Sequence, residues 1–174
     1  MRHLIRLGIL GAIAAWLAER NLAMAARGRP PAPVRTFVVV DAPIDRVWAQ
    51  VADIESQPRW MHDMKSVTIE TPGPTGVGTH GRATVRILGV STTDPVTVTE
   101  FEPPRRFGIR HEGRFSGAGL ITLEPGADGS TTVVTWDETI LPPILPRLGS
   151  LILRPILTGV FQADLDRLRE IIER

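Results

Sequence analysis

The sequence predicts an α+β fold in which a curved antiparallel sheet of about seven strands wraps around a long C-terminal helix. Two observations predict this arrangement. Between residues 65 and 140, six segments with strand patterns follow one another through short connections, and such strands pair antiparallel by default. From residue 148 to residue 172, apolar residues recur at helical spacing instead. A long helix must bury its apolar stripe, and the concave face of a bent sheet is the natural place, with room for a cavity between them.

The segment before this domain has a different character. Residues 1–26 are rich in Ala, Leu and Ile, and the prolines of residues 27–33 predict a stiff linker to a domain over residues 34–174. The uncharged run Leu7–Ala18 has twelve residues, whereas a helix needs about twenty apolar residues to span a bilayer. A simple spanning helix is therefore not the first interpretation.

Three interpretations of residues 1–26 stay open. In the first, they form a helix on a membrane surface, and Arg2, Arg6 and Arg20 fall in one narrow sector together with Arg27 just after the segment. In the second, they are a secretory signal peptide with a cleavage site near residues 23–25, and the domain is exported. In the third, the helix packs on its own domain or on a partner. We expect membrane association, on the cytoplasmic side, unless the segment is a cleaved signal.

A strand and two short helices open the domain. Val34–Asp41 is β-branched and apolar and predicts a strand, and Pro43 is placed where a helix can begin. The apolar residues of that helix fall on one face that includes Trp48. Residues 56–60 predict a second short helical turn that ends at Trp60. We expect Trp48 to pack where the first of these helices closes the sheet.

Six further strands and the C-terminal helix complete the pattern. The predicted strands are Lys65–Glu70, His80–Leu88, Thr92–Glu102, Phe107–Glu112, Phe115–Glu124 and Thr131–Ile140. Prolines end the sheet, and Leu148–Ile172 predicts a helix that Pro155 kinks. Its apolar stripe consists of Ile156, Val160, Phe161, Leu165, Leu168 and Ile172.

Composition and motifs exclude several classes of function. The chain has no cysteine, which removes disulfides, zinc–thiolate sites and thiol catalysis. A net charge of +1 without a clustered basic face gives no case for a nucleic-acid partner. The four histidines show no metal-ligand spacing, and neither a serine elbow nor a phosphate-binding glycine loop occurs. We therefore expect no metal, no cofactor and no nucleic acid, and the pattern does not predict an oligomeric state.

Two polar residues are predicted to lie in the apolar interior. His111 follows Phe107 and Ile109 at period 2, so it shares the face that those residues bury. Glu138 follows Trp136 in the same way on another strand. A buried imidazole or carboxylate must be paired or hydrogen-bonded, and a His–Glu pair could orient a ligand or act as acid and base. If the register of either strand is reversed, the two residues are exposed instead.

Five segments of the domain resemble a known superfamily. They are, in order, VDAPIDRVWAQVAD (40–53), PRWMHDMKSV (58–67), GVGTHGRATV (76–85), EFEPPRRFGIRH (100–111) and DGSTTVVTW (128–136). Their order and spacing resemble the START-like, or SRPBCC, superfamily, the polyketide cyclase/dehydrase and lipid-transport group, over residues 34–174. The resemblance implies the helix-grip fold around a hydrophobic pocket, and binding of lipids, polyketides, quinones or other apolar molecules. Only some members of the superfamily are enzymes.

The strand faces and the resemblance together predict a pocket for a hydrophobic small molecule. Its predicted lining is Trp60, Met64, Val85, Phe107, Ile109, His111, Phe115, Val134, Trp136, Glu138, Leu157, Phe161 and Leu165. Trp60 is placed there as a wall or lid by the resemblance. The first function hypothesis is binding or transport of a lipid, polyketide or quinone-like molecule. The alternatives are a cyclase-, aromatase- or dehydratase-type enzyme with His111 and Glu138 as acid and base, and a non-catalytic interaction domain with a filled core.

Overall fold

Helices flank a single sheet in the computed structural model, which describes residues 2–87 and 89–174. The helices are α1 (Arg2–Ala26), α2 (Ile44–Ala52), a 3-10 helix (Ile54–Arg59) and α3 (Pro146–Glu173). The strands are β1 (Val34–Val40), β2 (Met64–Ile69), β3 (His80–Ile87), β4 (Val90–Glu102), β5 (Arg106–Glu112), β6 (Ser116–Pro125) and β7 (Thr132–Leu141). Leu88, the predicted last residue of the strand from His80, lies outside the described residues.

The sheet has seven antiparallel strands in the order β1-β7-β6-β5-β4-β3-β2. From β2 to β7, each strand pairs with the next one along the chain, and β1 pairs with β7. The predicted α+β helix-grip arrangement, with about seven strands and a long C-terminal helix, is confirmed.

The helix α3 supplies the other side of the core and contacts β1 and β7. The ring of Trp136 on β7 lies 4.8 Å from that of Phe161 on α3. Burial in α3 begins at Leu157 and continues to Ile172. Ile156, predicted on the buried stripe, is instead 46% exposed. Successive residues of a helix point in different directions, and at this turn Leu157 takes the inward position.

The two short helices each bring one tryptophan into the interior. Trp48 is partly buried, and its ring packs edge-on against Phe101 with 5.3 Å between centroids. Trp60 is fully buried and packs edge-on against Trp136 at 6.0 Å. Such edge-to-face pairs add specific stabilisation to the burial of the rings. Both tryptophans are therefore packed against aromatic side chains that the sheet provides.

The helix α1 stands apart from this core. Leu4 and Trp16 are 73% and 55% exposed, and most other large apolar side chains of this helix are exposed as well, so that together they form a large exposed apolar surface. Residues 3–26 form a helix that is long and apolar enough to cross a membrane, judged by length and composition alone. The division of the chain into residues 1–26, 27–33 and 34–174 stays a prediction.

A carboxylate joins α1 to the start of α3. The two oxygens of Glu19 accept hydrogen bonds from the backbone N–H groups of Arg147 (3.1 Å) and Leu148 (2.8 Å). These N–H groups belong to the first turn of α3, where they have no partner within the helix. The N-cap residue of α3, Leu145, provides no side-chain hydrogen bond. Glu19 therefore caps α3 from a distance and also places a negative charge at its positive end.

Candidate ligand-binding site

A partly open cavity of about 90 Å³ lies between the sheet and α3. Its wall is mostly apolar and is formed by residues of β2 to β5 and β7, by α3, by the loop before β2 and by the turn between β5 and β6. The lining residues are Met61, Asp63, Met64, Ala83, Val85, Asp94, Val96, Ile109, His111, Phe115, Trp136, Glu138, Ile140, Leu157, Phe161 and Asp164. A few polar groups in an apolar wall are typical of a small-molecule site.

His111, Trp136 and Glu138 form a polar cluster in this wall. The indole Nε1 of Trp136 donates a hydrogen bond to Oε2 of Glu138 at 2.9 Å. The other carboxylate oxygen, Oε1, lies 3.3 Å from Nε2 of His111. Glu138 is 3% exposed, whereas the side chain of His111 keeps 23% of its surface accessible. The structure thus brings together the two polar residues that the strand alternation predicts on the inner face.

The cluster forms across β6, which separates β5 from β7. In the strand register, His111 pairs with Gly117 and Glu138 pairs with Gly119. Side chains on β5 and β7 start about 10 Å apart, which is two strand spacings. A Cβ atom at Gly119 would overlap the carboxylate of Glu138. The missing side chain at Gly119 therefore leaves the space that the Glu138 carboxylate occupies.

One oxygen of Glu138 is incompletely satisfied. Oε1 is fully buried and accepts no hydrogen bond of adequate geometry from any residue that the structure describes. A buried polar atom without a hydrogen bond costs free energy, and a charged one costs more. Glu138 itself lines the cavity, so Oε1 lies next to the space that a ligand would occupy.

The imidazole of His111 has a raised pKa. Burial of the ring lowers this pKa, but the negative charge of Glu138, the direct contact of its carboxylate with the ring and the charge of Asp94 together raise it by more. Asp94 is held in place by hydrogen bonds of 3.0 Å from Thr92 Oγ1 and from the backbone N–H of Arg114. The protonated ring is therefore favoured beside Glu138, and a proton can be held between the two groups.

Asp164 is the acidic group that α3 contributes to the cavity wall. Asp164 borders both the cavity and a groove that is lined by residues of α3 and by His62. Its Oδ1 accepts a hydrogen bond of 2.8 Å from the backbone N–H of His62, which ties α3 to the loop before β2. Burial raises the pKa of Asp164 to about 6, with Asp63 adding to the shift, while the His62 hydrogen bond and Arg167 oppose it. Asp164 therefore changes charge close to neutral pH.

The family model that matches this chain is described as polyketide cyclase / dehydrase and lipid transport, and it covers residues 31–173. The chain belongs to this family. The match confirms the superfamily that the five sequence segments resemble. Among curated proteins, none matches the chain.

Solved structures of other proteins agree with the fold of the family. An aromatase/cyclase, Zhui, from Streptomyces sp. R1128 is similar with a TM-score of 0.66 and 22% identity, over 82% of this chain and 93% of that one. A START superfamily protein from Mycobacterium smegmatis has a TM-score of 0.62 and 18% identity, over 80% and 99%. A protein from Thermus thermophilus has a TM-score of 0.64 and 20% identity, over 80% and 96%. At these identities the likeness establishes the fold alone.

Most of the predicted pocket residues lie on the cavity of this polyketide cyclase/dehydrase family member. Those on the cavity are Met64, Val85, Ile109, His111, Phe115, Trp136, Glu138, Leu157 and Phe161. Four others are buried in the core and do not line the cavity: Trp60, Phe107, Val134 and Leu165. Trp60, predicted as a wall or lid, lies behind Trp136 and supports that ring. Whether any of these residues binds a ligand stays a prediction.

Several lining residues were not predicted from the sequence. They are Met61, Asp63, Ala83, Val96, Asp94, Ile140 and Asp164. The alternation that assigns Val85 also places Ala83 on the same face, so this residue carried a usable signal. Asp164 carried none, because an aspartate beside an apolar helical stripe ordinarily faces water.

Proposed function

We propose that this protein binds an apolar small molecule carrying a hydroxyl group in the cavity between the sheet and α3. The observation that supports this proposal is the buried Oε1 of Glu138, which lies 3.3 Å from His111 Nε2 without a hydrogen bond of adequate geometry, in a mostly apolar wall. A ligand hydroxyl that donates to Oε1 would supply the missing hydrogen bond while its apolar part fills the cavity. Membership in a family described by lipid transport as well as by polyketide chemistry is consistent with such a ligand.

The size of the cavity limits the ligand. A volume of about 90 Å³ exceeds the roughly 10–15 Å³ that one water needs, which argues against a filled core. It is smaller than the cavity of about 150 Å³ that admits benzene in another protein. We therefore expect a short chain end or part of one ring in the cavity, with the rest of the lipid, polyketide or quinone-like ligand extending through the open side.

The test compares two probes of nearly equal shape, phenol and toluene. Binding is measured by titration, following the indole N–H signal of Trp136 in NMR spectra, assigned with the Trp136→Phe variant. We expect phenol to bind roughly tenfold more tightly, because a hydrogen bond to a charged acceptor is worth more than its desolvation. In Glu138→Gln this preference should fall. Equal affinity of the wild type for both probes would exclude the proposed hydrogen bond.

A second candidate function is acid–base catalysis by the same cluster. It is supported by the 3.3 Å separation of His111 Nε2 and Glu138 Oε1 and by the raised pKa of His111. A cyclase-, aromatase- or dehydratase-type reaction would use this pair to transfer protons on a polyketide-like chain. Turnover of a linear poly-β-ketone should then be lost in His111→Ala and Glu138→Gln, with folding retained by circular dichroism. Unchanged turnover in both variants rules out this assignment.

We further propose that α1 associates the protein with a membrane. Its exposed apolar residues and its length support this function. The hydrogen bonds from Arg147 and Leu148 to Glu19 favour a retained helix over a cleaved signal peptide, because cleavage near residues 23–25 would remove the cap of α3. The full chain should sediment with phospholipid vesicles, and a chain that starts at Pro33 should not. Sedimentation of both to the same extent would show that α1 is not the anchor.

A further inference from the structure

The start of α3 exposes an apolar surface next to α1. Leu151, Ile152 and Ile156 are 51%, 63% and 46% exposed, and Ile144, just before the helix, is 77% exposed. From Leu157 onward, the apolar stripe of the same helix is buried against the sheet. Apolar side chains this exposed and this close together are characteristic of an interaction surface.

This surface is joined to α1 by hydrogen bonds. Besides the two bonds to Glu19, the guanidinium of Arg147 donates to the carbonyl oxygen of Arg29 at 2.7 Å. The guanidinium of Arg154 donates to the carbonyl oxygen of Pro33 at 3.2 Å. The linker is therefore held along the first turns of α3, and α1 is not a free tether. Any partner that binds α1 would therefore also contact the start of α3.

Both segments carry a net positive charge. Residues 2–33 contain five arginines and one carboxylate, Glu19, and residues 142–158 contain two arginines and no carboxylate. Glu19 is already used by the N–H groups of α3. Basic residues beside exposed apolar ones match the surface of an anionic bilayer, which attracts arginines and accepts apolar side chains below its headgroups.

We propose that α1 and residues 144–156 form one docking surface for an anionic phospholipid bilayer. This rests on the proposed membrane association of α1 and extends it to a second segment. The groove that contains Ile156 and Asp164 then lies beside the bilayer. Since Leu157 and Asp164 also line the cavity, the docked helix brings the cavity wall close to the lipid surface.

Single cysteines test this surface, because the chain has no natural cysteine. An environment-sensitive fluorophore is attached to Ile152→Cys, to Leu10→Cys in α1, and to Val77→Cys, which is 69% exposed in the loop before β3. Each labelled full chain is mixed with vesicles of phosphatidylcholine containing phosphatidylglycerol. We expect a blue shift of the emission at positions 10 and 152 and none at position 77.

The three labelled positions distinguish failure of the two-segment docking surface from failure of the membrane association of α1. A shift at position 10 without one at position 152 overturns the two-segment surface but leaves α1 as the anchor. No shift at either position overturns both. A concentration-dependent shift at position 152 without lipid indicates that a second copy covers the surface, which also overturns the proposal.

Substitutions in the full chain provide an independent measurement. Ile152→Glu should weaken partitioning onto the anionic vesicles roughly tenfold, because an apolar side chain is replaced by one that the bilayer repels. Val77→Glu introduces the same charge at an exposed valine outside the surface and should leave partitioning unchanged. Equal partitioning of Ile152→Glu and the wild type contradicts the docking of residues 144–156.

Discussion

Within α3, the apolar residues of the first turns and those of the later turns have opposite surroundings. Leu165 and Leu168 are fully buried against the sheet, whereas Leu151 and Ile152 are 51% and 63% exposed. The difference lies in what faces each turn. The later turns face the sheet and the cavity, and the first turns contact α1, which is itself exposed. An apolar stripe on a helix therefore indicates a contact surface, but it does not indicate whether the sheet or another surface makes that contact.

The largest expected effect is a difference in the free energy of unfolding between substitutions in the later turns and in the first turns of α3. Leu165→Ala should lower the free energy of unfolding by about 2–5 kcal/mol, because it opens a cavity in the core. Leu151→Ala should lower it by less than about 0.5 kcal/mol, as an exposed substitution does. Urea denaturation of both variants without lipid measures the difference. If Leu151→Ala is as costly as Leu165→Ala, the start of α3 is buried in solution.

The second prediction compares two glycines, one beside the polar cluster and one on α3. Gly119→Ala should destabilise the fold by about 1–3 kcal/mol, because the new methyl group needs the space of the Glu138 carboxylate. It should also shift the NMR signal of the Trp136 indole N–H. A Cβ at Gly159 meets nothing within 4 Å, so Gly159→Ala should be neutral or slightly stabilising, as is usual within a helix. If both substitutions change the stability equally, the Glu138 carboxylate does not depend on the missing side chain at Gly119.

The third prediction concerns pH and Asp164. Its pKa of about 6 exceeds the ordinary 3.8, so the folded state holds a proton that the unfolded chain has released. The stabilising contribution is complete below the ordinary pKa and is lost as pH rises through about 6. Asp164→Asn keeps an acceptor for His62 without the charge. It should be about 1–2 kcal/mol more stable than the wild type at pH 8 and equal to it near pH 4. A pH-independent difference would show that Asp164 has an ordinary pKa.

The smallest expected effect is at the joint between α1 and α3. Glu19→Ala removes the acceptor of two N–H groups in the first turn of α3 and should cost about 1 kcal/mol of stability. Amide hydrogen exchange at Arg147 and Leu148 should accelerate. Glu124→Ala, at an exposed glutamate near the end of β6, provides the control and should leave both amides unchanged. Unchanged exchange in Glu19→Ala would mean that α1 does not cap α3.

The alternation of the strands was sufficient to predict the polar cluster. His111 and Glu138 are placed on the inner face by period 2, and the structure brings them together in the cavity wall. Their contact also depends on Gly119 in the strand between them, which no pattern within a single strand could indicate. The order of short strands followed by a long amphipathic helix was likewise enough for the fold.

Periodicity predicts which residues face inward, but not whether an inward-facing residue lines the cavity or lies in the core behind the cavity wall. Phe107 and Val134 have the predicted inward orientation but lie in the core and not on the cavity. Trp60 follows a 3-10 helix, where neither helical nor strand period applies, and it lies behind Trp136. Asp164 is polar yet 3% exposed, because the His62 N–H provides a partner for it at the cavity.

Native mass spectrometry of the full chain purified from its own cells tests the central proposal most directly. The proposed function predicts a bound apolar molecule with at least one hydroxyl group, and loss of that molecule in the Gly119→Ala variant. Protein that is consistently empty, or that carries a ligand without any hydrogen-bond donor, would contradict the role proposed for Glu138.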